Sequence, residues 1–84
     1  MKRAQRQRLA RVQVKNKAIR QEEYRRAAEA VLQTIDPREG PTRENALKMA
    51  RLIYHYLDVT PDLQKAWFVE LIAVFELTEA EVKE

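Results

Sequence analysis

Eighty-four residues, 45% of them hydrophobic and none of them cysteine, make one small domain. Disulfides, thiolate metal sites and thiol redox chemistry are excluded, and a core this small benefits from a partner. The formal charge is only +3, yet residues 1–35 hold ten Lys or Arg against three Glu, net +7, while residues 36–84 hold six against ten, net −4; this layout predicts a cationic arm attached to a body with contacts of its own.

The first segment, Met1 to Ile35, reads as one helix. Its first twenty residues carry Lys2, Arg3, Arg6, Arg8, Arg11, Lys15, Lys17 and Arg20, and no acidic residue precedes Glu22. Beyond Glu22, Tyr24, Ala27, Ala28, Val31 and Ile35 recur at spacings of three and four, the pattern of a buried helix face. We therefore divide the chain into a basic arm, residues 1–22, and a helical association domain, residues 23–84. Leu9, Val12, Asn16 and Ile19 share one side of the arm, but its cations point all round. A membrane-surface helix wants a clean apolar face with aromatic anchors, and residues 1–20 contain no aromatic residue. A helix in a nucleic-acid groove, by contrast, has a use for charge in several directions. The apolar run needed for a secretory signal is broken by Arg11 and Gln13, and the serine expected of a mitochondrial presequence is absent altogether. With no cysteine and no apolar stretch near the ~18 residues of a membrane span, a cytoplasmic protein is expected.

Asp36-Pro37 ends the first helix, since proline disfavours helical geometry in the residue before it. Gly40, the only glycine, lies in the turn that follows. Thr42 is an N-cap with Glu44 well placed against the helix dipole, and a second helix is predicted from Arg43 to Leu57. Its core stripe is Ala46, Met49, Ala50, Ile53 and Leu57, opposite an exposed face of Lys48, Arg51, His55 and Asp58. Thr60-Pro61-Asp62 opens a third helix, predicted from Pro61 to Leu77. Only Glu70 is polar between Ala66 and Phe75, so this helix is expected to be buried on more than one side, partly by another chain. Thr78 with Glu81 matches a capping box for a short terminal turn through Val82. The fold class is all-α: a long N-terminal helix and a helical hairpin, packed as a small three-helix bundle with a protruding basic arm.

The chemistry that is missing is as informative. No serine or cysteine is available as an activated nucleophile, one glycine cannot build a phosphate-cradling loop, and His55 with Asp58 lacks the rest of a catalytic constellation. No catalytic residue, cofactor, metal or small-molecule substrate is expected. The helix–turn–helix reading fails because the second helix of the pair presents Trp67, Phe68, Leu71 and Phe75 where polar reading residues are required. These residues, with Tyr54, are expected to form core or partner interface and not base-stacking platforms. The arm resembles the arginine-rich peptides of phage antiterminators in composition only. The favoured reading is a non-enzymatic protein that binds RNA or DNA, with Arg3, Arg6, Arg8, Arg11, Lys15, Lys17 and Arg20 on phosphates. Its apolar third helix would mediate homo-oligomerisation or engage a larger protein. The alternative is a protein-binding adaptor or inhibitor of the phage or mobile-element type, docking on a larger machine.

Overall fold

The computed structural model describes the backbone of residues 2–84 and the side chains from Asn16 to Glu84. It is all-α: α1 spans Lys2–Gln33, α2 Arg43–His55, α3 Asp62–Phe75 and α4 Glu79–Lys83. Each boundary has a local cause. At the end of α1 the ladder tightens, Thr34 N donating to Val31 O at 3.1 Å and Ile35 N to Leu32 O at 3.2 Å, so the helix stops two residues short of Ile35. Asp36 then accepts from the Arg38 amide at 2.8 Å, and Gly40, at φ 77°, bonds back to the Asp36 carbonyl at 2.8 Å. Thr42 caps α2 as expected, and Asn45 closes the reciprocal half of the box. Asn45 Nδ2 also donates to Thr34 Oγ1 at 2.9 Å, tying the end of α1 to the start of α2.

The boundaries of α2 and α3 differ from expectation as well, α3 running from Asp62 to Phe75 and not from Pro61 to Leu77. Helix α2 ends at His55, because the amides of Val59 and Thr60 turn back to the Tyr56 carbonyl at 3.0 and 2.8 Å. Thr60 does not cap α3. Its hydroxyl is buried and donates to Tyr56 O at 2.7 Å, leaving Pro61 at the N-cap with no side-chain cap. At the other end, Glu76 adopts the left-handed conformation, φ 51°, and Leu77 N donates to Ile72 O at 3.1 Å in a Schellman-type stop that buries Leu77.

The organising helix is α2. Helices α1, α3 and α4 each pack against it, and among the described residues no other pair of helices approaches backbone to backbone. The predicted stripe is confirmed at Ala46, Met49, Ala50 and Ile53, all buried; Leu57, beyond the helix, is exposed. Two alanines on one face let neighbouring helices come close. Met49 and Ile53 join Tyr24, Ala28 and Val59 in one core cluster, and Ala50 joins Leu77 and Val82 in a second. Helix α3, expected to be buried on more than one side, partly by another chain, is buried on one side within the single chain. None of its residues is fully buried: its inner side meets α2 and side chains of α1 and α4 through Trp67, Phe68, Leu71 and Phe75, while Leu63, Val69 and Val74 stay exposed among the described residues.

Helix α4 is held by two arginines of α2. Arg43 makes a bidentate pair with Glu81, 2.7 and 2.8 Å, and donates to the carbonyls of Phe75 and Glu76 at the end of α3. Arg51, predicted to be exposed, instead donates to Glu81 O at 2.7 Å and pairs with Glu84 at 3.0 Å. Arg43, then the Thr78 hydroxyl, hold the Glu81 carboxyl at about 2, below its ordinary 4.5. A carboxyl depressed in the folded state favours folding above its unfolded pKa and ceases to do so as pH falls through the folded one. Wild type should therefore exceed Glu81→Gln in urea resistance at pH 7, and the gap should close between pH 4.5 and about 2. A gap that survived at pH 2 would place the effect elsewhere.

Candidate nucleic-acid interface

Of the residues assigned to phosphate contact, Arg3, Arg6, Arg8, Arg11 and Lys15 lie outside the described side chains, as do Leu9 and Val12 of the arm's apolar stripe. Sequence alone still constrains their charge. An intrahelical ion pair needs an acidic residue three or four positions away, and none lies within four residues of any cation up to Lys17. Downstream the situation reverses. Arg25 pairs with Glu22 at 2.6 Å and Glu29 at 2.8 Å, and Arg26 with Glu22 at 3.0 Å. These arginines, first from Arg25, hold the Glu22 carboxyl at about 2. Helix α1 thus changes from cations with no intrahelical partner to a self-neutralised surface within a few residues.

Arg20 stands at that boundary and is already engaged. Its guanidinium makes a bidentate contact with Asp58, Nε at 2.9 Å and Nη2 at 2.8 Å, and Nη2 also donates to the His55 carbonyl at 3.0 Å. Its carbon lies 4.8 Å from the centre of the Tyr56 ring, a cation–π geometry. The pairing raises the Arg20 pKa and lowers that of Asp58. Tyr56 donates to Glu23 at 3.2 Å and packs its ring 6.0 Å from Tyr24, whose hydroxyl donates to Gln64. Arg20, grouped with the arm in the sequence reading, therefore fastens α1 to the C-terminal end of α2, where a cation also meets the negative end of the helix dipole. Lys17, one turn earlier, is exposed. His55 is exposed as well, its ring edge-on to Tyr54 at 5.4 Å.

The five residues assigned to the partner interface are all half-buried in the single chain. Tyr54, Phe68, Leu71 and Phe75 pack against the second core cluster, with Phe68 and Leu71 touching the first as well. Trp67 packs against the first cluster and lines an open cleft between α3 and the end of α1. This cleft, about 370 Å³, is walled mainly by apolar side chains, among them Leu32, Ile35, Met49, Leu71 and Val74, with Glu70 and Asn45 as polar members. The large apolar residues that face outward on α3 are Leu63, Val69 and Val74, 74%, 66% and 72% exposed. Sequence reasoning passed over them in favour of the aromatics, although Leu63, Trp67, Glu70 and Val74 recur at the four-three-four spacing of a helix edge.

Comparison of the chain with protein-family models, with curated proteins and with solved structures finds no match. Among the described residues, no helix is long and apolar enough to cross a membrane.

Proposed function

We propose that this is a small non-enzymatic nucleic-acid-binding protein whose basic arm contacts phosphates while the hairpin body, through α3, mediates association. The observation that carries this reading is the acid-free run of eight cations over residues 1–20. Such a density of Lys and Arg displaces condensed counterions from DNA or RNA, the main source of affinity that is independent of sequence. With Arg20 held by Asp58, Arg3, Arg6, Arg8, Arg11, Lys15 and Lys17 remain as the assigned contacts. Nothing in this action requires bond making, in keeping with a chain that has no serine or cysteine and a single histidine. Its setting is proposed as cytoplasmic.

The test is binding to duplex DNA, to structured RNA and to an acidic polypeptide across a salt series. Six neutralised phosphates correspond to a slope of about −5 in log affinity against log salt on duplex DNA. Absence of affinity for either nucleic acid at low salt removes this reading. Tight binding to the acidic polypeptide alone would favour the second one, an adaptor or inhibitor docking on a larger protein. The apolar cleft beside α3 is the feature in that reading's favour.

A further inference from the structure

The edge of α3 that borders the cleft, exposed at Leu63, Glu70 and Val74 and half-buried at Trp67, reads the same in both directions. Leu63, Trp67, Glu70 and Val74 follow one another at intervals of four, three and four, a spacing that keeps them on one side of an α-helix. Reversed, the intervals are again four, three and four. An antiparallel copy laid along this edge therefore brings Leu63 opposite Val74 and Trp67 opposite Glu70, and the two-fold axis repeats both matches. Each match is chemically sound. Leu63 and Val74 are 74% and 72% exposed, and each would cover the other. The Trp67 indole offers only a donor and the Glu70 carboxylate only acceptors; both border the same cleft, and neither is a buried orphan in the single chain.

We infer that a second copy of this chain covers the α3 edge, as an antiparallel, two-fold symmetric pair in register Leu63 on Val74 and Trp67 on Glu70. A two-fold interface must be complementary to itself, and this edge meets that condition without help from another protein. The parallel arrangement meets it less well, since it sets Glu70 level with Glu70 and Trp67 level with Trp67. Beside Val74, the second copy's Leu63 comes to the mouth of the cleft formed with Leu32 and Ile35. This inference builds on the association surface of the proposed function and is independent of the arm.

The chain contains no cysteine, so single cysteines report register cleanly in the full-length protein. Positions 63 and 74 are eleven residues apart, about 16 Å along a helix, whereas a disulfide needs Cα atoms within about 7 Å. Under mild oxidation a mixture of L63C and V74C should form a covalent dimer, while neither variant alone does so at the same total concentration. Cross-linking of L63C alone and of V74C alone, with no L63C–V74C heterodimer in the mixture, would replace this pairing by the parallel one. No cross-link in any sample would overturn it. In parallel, V74D, which alters a residue already facing water, should sediment as a monomer where wild type is dimeric, and the emission of the single tryptophan should move to longer wavelength. A V74D protein as dimeric as wild type also defeats the inference. The salt dependence of DNA binding is read on the same samples: a missing cross-link with that dependence intact removes the dimer alone, and the converse removes the arm reading alone.

Discussion

Replacing Arg3, Arg6, Arg8 and Arg11 together by glutamine should weaken binding to duplex DNA by three to four orders of magnitude at ~0.1 M salt. Each lost phosphate contact forfeits about 0.9 of a unit in the salt exponent, so the slope should fall from about −5 to about −2, the residue of Lys15 and Lys17. Glutamine is nearly as good a helix former as arginine, so the change acts on charge and leaves helix propensity little altered. The matching control is Arg25→Gln with Arg26→Gln. Those side chains are already paired with Glu22 and Glu29 on their own helix, and their removal should leave the slope where it was. A control loss about half that of the arm variant, in proportion to two charges against four, would mean that net charge alone governs the interaction and that the arm has no privileged role. Filter binding or fluorescence anisotropy over a salt series measures both.

Ile53→Ala should be the most damaging single truncation in the body. Among the described residues Ile53 is the largest side chain with no exposure at all, and it sits on the helix that the other three share. Truncating a buried isoleucine to alanine costs about 2–5 kcal/mol, part transfer and part residual cavity. At ~0.05–0.15 kcal/mol per residue the whole domain is worth about 4–13 kcal/mol, so a large share of its stability goes with those atoms. Urea denaturation should show the midpoint collapsing, with Ile53→Val intermediate at about 0.5–1.5 kcal/mol. Leu63→Ala, measured below the concentration at which chains associate, should stay within about 0.5 kcal/mol of wild type because its side chain is mostly in water already. If Leu63→Ala proved as costly as Ile53→Ala, the partition between core and uncovered edge drawn from the fold would be wrong.

That partition was only half legible in the order of residues. Local signals carried well: Thr42 and Thr78 cap the helices they were expected to cap, and the Ala46, Met49, Ala50, Ile53 stripe lies where its period put it. Such features depend on neighbours within one or two turns. Helix α3 is different, because apolar residues all round its circumference leave its period with no preferred face. Burial there is decided by which other elements exist to cover it, and here α2, with side chains of α1 and α4, covers one side. Thr60 illustrates competition between two local options, its hydroxyl bonding back to the Tyr56 carbonyl instead of forward to α3. Arg20 lay beyond any local rule. Its carboxylate partner is 38 positions away, and only the return of α2 alongside α1 brings Asp58 to it.

The carboxylates at the tail of the molecule bear on how readily the arm can serve an outside ligand. A flexible acidic terminus can fold onto a basic segment of its own chain and compete with any polyanion for it. Here Glu81 and Glu84 are gripped by Arg43 and Arg51, and Glu79 by Lys83, within a helix fixed by its own capping box. Under the proposed reading, these pairings should leave a phosphate backbone less rivalry for the arm from the acidic residues of α4.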